Sequence, residues 1–306
     1  MSARKRLVEY IKESNLRIVA VASAPARADF LNTHQDYKGL PVVPIAIDKR
    51  IYFAAVEGDP KKFTIESLDI SEEDIEKTFH ISDIVPKGRT YIDYAKACLL
   101  SLVMMTSTNI PRGYRIIISS DIPIGGGLGS SGAFEVGFLY LITQLYKIRI
   151  PKLVLAEIAY RAENRILNIS CGRLDQYASA FGGTLLLKTT WPTRVEILSD
   201  PPYEIIIVDS GIKHETAAIH PTRQAEINKA IEKLKGLGLP KNLEEKLGSD
   251  YKTAKWADLK EDEIMEYIDQ IEDVLARRIL FTIRMNDLTK IAVKILKNKE
   301  ITSDDY

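Results

Sequence analysis

The stretch Pro123–Phe134, PIGGGLGSSGAF, constrains the fold more than any other part of the chain. An apolar run, Arg115–Ser120 (RIIISS), leads into it and reads as a buried strand. A long apolar segment, Phe134–Tyr146 (FEVGFLYLITQLY), leaves it and reads as a helix. The glycines therefore occupy a strand-to-helix loop, where the backbone must turn sharply and a ligand can approach closely. The helix that follows begins with unpaired N–H groups and the positive end of its dipole. Backbone donors and a helix N-terminus together make a cradle for phosphate. Ser130 and Ser131 add hydroxyls that can bond phosphate or bind magnesium. Gly127, Gly129 and Gly132 fit G-x-G-x-x-G, but a dinucleotide site also wants a strand ending in an acidic residue about 20 positions on. That region, Pro151–Arg161 (PKLVLAEIAYR), reads as a helix instead. A P-loop needs Gly-Lys-Ser/Thr, and no lysine stands near these serines.

At 306 residues the chain suggests one or two domains. Basic and acidic residues balance at 42 each, which argues against nucleic-acid binding as the main role. Cys98 and Cys171 are the two cysteines, too few for a disulfide framework or a zinc cluster. The N-terminal SARKRLVEYIKES reads as an amphipathic helix rather than a signal peptide, and no apolar run is long enough to span a bilayer. The expectation is a cytoplasmic protein without nucleic-acid or membrane partners.

Along the chain, Arg17–Ala22 reads as a strand and Ser23–Gly39 as an irregular polar stretch interrupted by Pro25. Val42–Ile47 and Arg50–Val56 read as an antiparallel pair joined by a short polar turn. A short edge strand and a helix at 71–78 are expected before the helix Tyr91–Thr108. A helix Lys152–Ile166 carries Glu163 on its final turns. A short helix Arg173–Phe181 has Asp175 in its first turn, where an aspartate can simply cap. Thr184–Lys188, Val195–Leu198 and Tyr203–Asp209 read as strands, and the remainder from Glu215 as helical. A domain boundary is placed near Gly183.

Four segments in order resemble the GHMP kinases, and within them the galactokinases. Ala24, Pro25 and Arg27 followed by His34, Asp36, Tyr37 and Gly39 resemble the first galactokinase motif. Ser119–Val136 resembles the second. Cys171–Gly172 with Asp175–Gln176 resembles the segment that carries the active-site aspartate, and Ser210–Arg223 the loop that closes over the sugar. The resemblance implies an α+β, two-domain GHMP kinase fold. Residues 1–183 would form an N-terminal domain with a mixed sheet and helices, and 184–306 a ferredoxin-like C-terminal domain. It implies ATP and Mg2+ as cofactors and a monosaccharide phosphorylated at its anomeric hydroxyl. By position, Gly125, Gly126, Gly127, Leu128, Gly129, Ser130, Ser131 and Gly132 would cradle the ATP phosphates, with Tyr91 near the adenine. Ser131 and Glu163 would hold magnesium. Asp175 would act as base or orienter, with Arg27 facing it and the transferring phosphate. Thr33, His34, Asp36, Gly172, Arg173 and His220 would contact the sugar.

The departures from that pattern carry their own expectations. Thr33 stands where galactokinases have a glutamate for the 6-hydroxyl, and Arg173 stands at a usually apolar position. The pair predicts a sugar altered at C6, a uronic acid first and a pentose second. The family's third glycine-rich motif is not present, so the chain is expected to lack part of its second domain. The competing readings are a GHMP kinase of the heptose or isoprenoid branch and a non-catalytic sugar sensor. Retention of Arg27, Glu163 and Asp175 favours an enzyme.

Overall fold

Strand β5 (Arg115–Ser120) has two buried faces. Ile116 and Ile118 point to one core, while Ile117 points to another beneath the N-terminal helix α1 (Ala3–Glu13). Strand β2 (Val43–Val56) repeats the alternation, with Phe53 and Ala55 facing the first core and Ala54 and Val56 the second. This period of two places one set of side chains on each face of a sheet. In the computed structural model the chain divides into two compact units. The first is Met1–Ala28, Ala46–Ile169 and Asp175–Gly182; the second is Asp29–Ile45, Ser170–Leu174 and Gly183–Tyr306. The structure describes residues 1–70, 78–201, 203–209, 211 and 216–297, the side chains of 216–220 excepted.

In the first unit, β2 pairs antiparallel with β5, from Ile51↔Ser120 to Val56↔Arg115. Strand β3 (Lys62–Ser67) runs parallel to β5, and β4 (Thr78–His80) pairs antiparallel with β3. The sheet is therefore mixed. Helices α2 (Tyr91–Thr106), α3 (Ser130–Leu145) and α4 (Lys152–Arg161) pack on one another over one of its faces. Helix α3 is apolar almost all round, as a helix must be when covered on every side. At Gly137 a side chain would collide with the Phe53 ring, so this glycine lets α3 lie directly on the sheet.

Three expectations from sequence are corrected here. Strand β1 (Ile18–Leu31) runs on through Ser23 to Leu31 instead of ending at Ala22. Ala22, Ala24 and Ala26 alternate into the core, and among the described residues β1 pairs only with β2, so Pro25 sits on an edge strand where its missing N–H costs little. The polar pair Asp48–Lys49 is not a turn. It lies exposed within the single strand β2, whose ladder partner changes from Thr184 at Ile45 to Ser120 at Ile51. Tyr203–Asp209 forms no ladder, and Ile206 and Val208 are 85 % and 81 % exposed. Its β-branched apolar run Ile205–Val208 is strand-like, but no described partner completes a sheet there. The helix expected at 71–78 falls outside the described residues, except that Thr78 opens β4.

In the second unit, β6 (Thr184–Lys188) and β7 (Arg194–Leu198) form an antiparallel pair. Among the described residues four helices follow: α6 (Thr216–Lys235), α7 (Lys241–Leu247), α8 (Glu261–Ile268) and α9 (Asp273–Lys297). Their core is Ile227, Ile231, Leu243, Trp256, Ile264 and Ile279, with Leu40 and Tyr37 packed into it. Among the described residues no helix is long and apolar enough to cross a membrane.

Candidate active site

The glycine loop leaves β5 and returns the chain at Gly129, which caps α3 in a left-handed conformation with φ 71°. Gly125 and Gly127 share that φ, a region that side chains other than glycine enter only with strain. A Cβ at either would meet nothing within 4 Å, so their backbone faces open space. No side chain caps α3, and the first intrahelical acceptor is Gly129 O, bonded by Ala133 N at 3.0 Å. The N–H groups of the first turn thus remain for an anion. Ser130 and Ser131 are the first two residues of the helix and are half-buried.

Arg27 of β1 holds this loop. Its backbone N–H donates to Leu128 O at 3.1 Å and its guanidinium to Gly127 O at 2.5 Å. The same guanidinium donates to Asp175 Oδ1 from Nε at 2.8 Å and pairs with that oxygen through a terminal nitrogen at 2.7 Å. Asp175 lies in the first turn of α5 (Leu174–Phe181). A methyl group at Gly132 would sit 2.7 Å from Cβ of Asp175, so the start of α3 and the start of α5 touch backbone to backbone. Arg27, Asp175, Gly127, Gly129 and Gly132 therefore form one constellation.

Beneath it lies a buried polar group. Glu163 belongs to a π-helical turn, Ala162–Ile166, that ends the α4 helix. Gln176 donates one amide hydrogen bond to Glu163 at 2.6 Å and another to Glu135 of α3 at 2.9 Å. Burial pushes the Glu135 carboxyl well up, and the neighbouring Glu163 adds to the effect. Glu135 and Gln176 were missed as site-supporting residues by sequence reasoning. The available signal was a lone acid in the apolar run FEVGFLYL, because such a charge survives burial only with a partner. Tyr91 opens α2 and packs with the helix-layer core, its hydroxyl donating to Ile65 O at 3.4 Å.

The other predicted residues belong to the second unit. Asn32, His34 and Gly39 have φ of 65°, 61° and 77°, so the segment is a chain of left-handed turns around the 3-10 turn Asp36–Lys38. The Asp36 carboxylate occupies the space where a Gly172 side chain would be, which is why only glycine fits there. Thr33 and Arg173 are half-buried. His220 falls in α6, among the residues whose side chains are not described.

An uncapped helix behind an open glycine backbone fits the phosphates of a nucleotide. No group of three or more His, Cys, Asp or Glu suited to a metal occurs among the described residues. The donor set of one serine and one buried carboxylate suits Mg2+, which keeps waters and phosphate oxygens in most of its positions.

Residues 93–183 match the family model of the GHMP kinases N terminal domain. The mixed α/β fold matches that of a mevalonate kinase structure with a TM-score of 0.56, at 17 % identity, over 92 % of this chain and 74 % of that one. Residues 9–56 match the model of the galactokinase galactose-binding signature. The chain is 33 % identical to the galactokinase of Pyrococcus furiosus over 223 residues, 70 % of this chain and 59 % of that protein. It is 32 % identical to the galactokinase of Thermotoga petrophila over 230 residues, with the same shares. It thus spans about three-fifths of the length of these curated relatives. The structure of Lactococcus lactis galactokinase complexed with galactose matches with a TM-score of 0.72, at 21 % identity, over 96 % of this chain and 74 % of that one.

Proposed function

We propose that this protein uses Mg-ATP to phosphorylate a monosaccharide at its anomeric hydroxyl. The observation that carries the reading is the Arg27–Asp175 pair fastened to the glycine loop. Phosphoryl transfer needs alignment and charge neutralisation more than covalent help. Backbone N–H groups of Gly129–Gly132 would take the phosphate oxygens, and Arg27 would neutralise charge that develops during transfer. Asp175 would accept the proton of the sugar hydroxyl or orient it. Ser131 and Glu163 would hold Mg2+, which supplies charge neutralisation between phosphates when bound. Thr33, His34, Asp36, Gly172, Arg173 and His220 would contact the sugar. Asp175→Asn keeps the size and the capping ability of the side chain. Turnover is expected to fall roughly 10²–10⁴-fold with sugar binding kept. Near-normal turnover in this variant would reduce Asp175 to a helix cap.

The proposed substrate is a galactose-like sugar altered at C6, a uronic acid ahead of a pentose. A glutamate at position 33 would repel a 6-carboxylate, whereas a threonine can donate to one. Arg173 adds a guanidinium able to pair with a carboxylate in a bidentate way. The measurement is kcat/KM for galactose, galacturonate and arabinose, with Arg173→Ala alongside. Galacturonate is expected to be preferred and to lose about 10-fold or more in the variant. A preference for galactose that the variant leaves unchanged sinks the C6 assignment.

A further inference from the structure

Lys38 closes the 3-10 turn of the His34–Gly39 segment, yet it is 6 % exposed. Lysine is seldom buried, because its amine loses hydration. Here Nζ donates to Gln35 Oε1 at 3.0 Å and to Thr282 Oγ1 at 2.7 Å. It also lies 5.7 Å from the ring centroids of both Tyr37 and Trp256. Gln35, Thr282 and Trp256 are themselves at most 2 % exposed. The bond to Thr282 joins residues 244 positions apart and ties the turn to helix α9. An unbranched apolar side chain would fill the same slot without the cost of desolvating an amine. The amine therefore contributes direction rather than bulk. Burial lowers its pKa to about 7, against a smaller opposing effect of Asp36, which agrees with a group kept by its geometry and not by a free charge.

Other contacts hold the backbone of this turn as well, among them Lys38 N donating to Gln35 O at 3.0 Å and Leu40 N to Gln35 O at 3.2 Å. Thr189 Oγ1 donates to Asp36 O at 2.8 Å, and Asn32 donates to Pro41 O at 2.5 Å. Residues on either side adopt left-handed conformations that cost about 1–2 kcal/mol each outside glycine. We propose that Lys38 is a positioning residue for sugar recognition: by clamping Gln35 and Thr282 it fixes the orientation in which His34 and Asp36 are presented. The proposal rests on the sugar-kinase reading above.

The test uses the full chain, with sugar KM and ATP KM measured separately for galactose, galacturonate and arabinose, and direct calorimetric titration of the best sugar. Lys38→Met keeps the length and removes the donors. Thr282→Val removes the acceptor at constant volume and serves if Lys38→Met does not fold. Each is expected to raise sugar KM and Kd about 10-fold, with kcat and ATP KM within about 3-fold of the parent. The double variant is expected to lose little more than either single one, since both break one link. A lowered melting temperature with unchanged sugar KM in both variants overturns the positioning role and leaves Lys38 as packing. A parent protein that binds none of the sugars overturns the kinase reading itself, and the positioning role with it.

Discussion

At the scale of single residues, the glycines of the proposed phosphate loop are constrained for two different reasons, and the difference can be measured. Gly127 needs its positive φ but has empty space where a side chain would go. Gly127→Ala is expected to cost about 1–2 kcal/mol of stability by backbone strain alone. Gly132 has ordinary helical φ, but a methyl there meets Cβ of Asp175 at 2.7 Å and its carbonyl carbon at 3.1 Å. Neither group is the flexible end of a side chain, so α5 must shift. Overpacking of this kind costs about 1–3 kcal/mol, and displacing Asp175 by an ångström can cost about 10²-fold in rate. Urea melts together with turnover separate the two: Gly132→Ala is expected to lose far more activity per unit of stability than Gly127→Ala. Equal losses in both variants would remove the steric argument.

At the scale of elements, α2 shows how a helix start is secured. Thr90 and Asp93 form a reciprocal capping box. The Asp93 carboxylate accepts from the backbone N–H groups of Lys87, Gly88 and Thr90 and from the Thr90 hydroxyl. Burial raises its pKa, but these donors outweigh burial and hold the carboxyl below the usual range. A depressed folded pKa means that the stabilisation is present above the unfolded value and is lost as pH falls through the folded one. Thr90→Ala is expected to cost about 0.5–2 kcal/mol. Asp93→Ala is expected to cost more, since it removes four hydrogen bonds to one carboxylate at once. Chemical denaturation at pH 7 and pH 3 checks both: the penalty of Asp93→Ala shrinks at pH 3, and a pH-independent penalty would contradict the assignment. The π-helical turn at Ala162–Ile166 is the second element with a local purpose, because its extra residue per turn places Glu163 against Gln176.

At the scale of the whole molecule, each unit has its own core, and each carries part of the proposed chemistry: the phosphate loop with Arg27 and Asp175 in the first, the His34–Gly39 segment with Gly172 and Arg173 in the second. A ligand that binds only the native state raises its stability, by about 2.7 kcal/mol at 100 times its Kd. Mg-ATP and the cognate sugar are each expected to raise the melting temperature, and EDTA to abolish most of the nucleotide shift. Absence of any shift with nucleotide would mean that the open glycine backbone is not a phosphate site.

Local pattern alone determined the strand–loop–helix around Pro123–Phe134, the helix holding Glu163, and Asp175 in a first helical turn, because hydrophobic period and glycine content act over a few neighbouring residues. The family motifs added Arg27, Asp36 and Gly172 as candidates. What pattern could not decide was the course of β1 past Ala22, the unbroken β2 through Asp48–Lys49, and the lack of a ladder at Tyr203–Asp209. Whether a polar or proline-containing run becomes a strand depends on a partner backbone far away in sequence, not on its own residues. The same is true of Lys38. In the sequence it is a lysine in a polar turn, and only the folding of α9 against that turn, 244 positions on, makes it a buried clamp. Long-range packing decides which polar groups lose their water, and that loss is what forces each of them to find a partner.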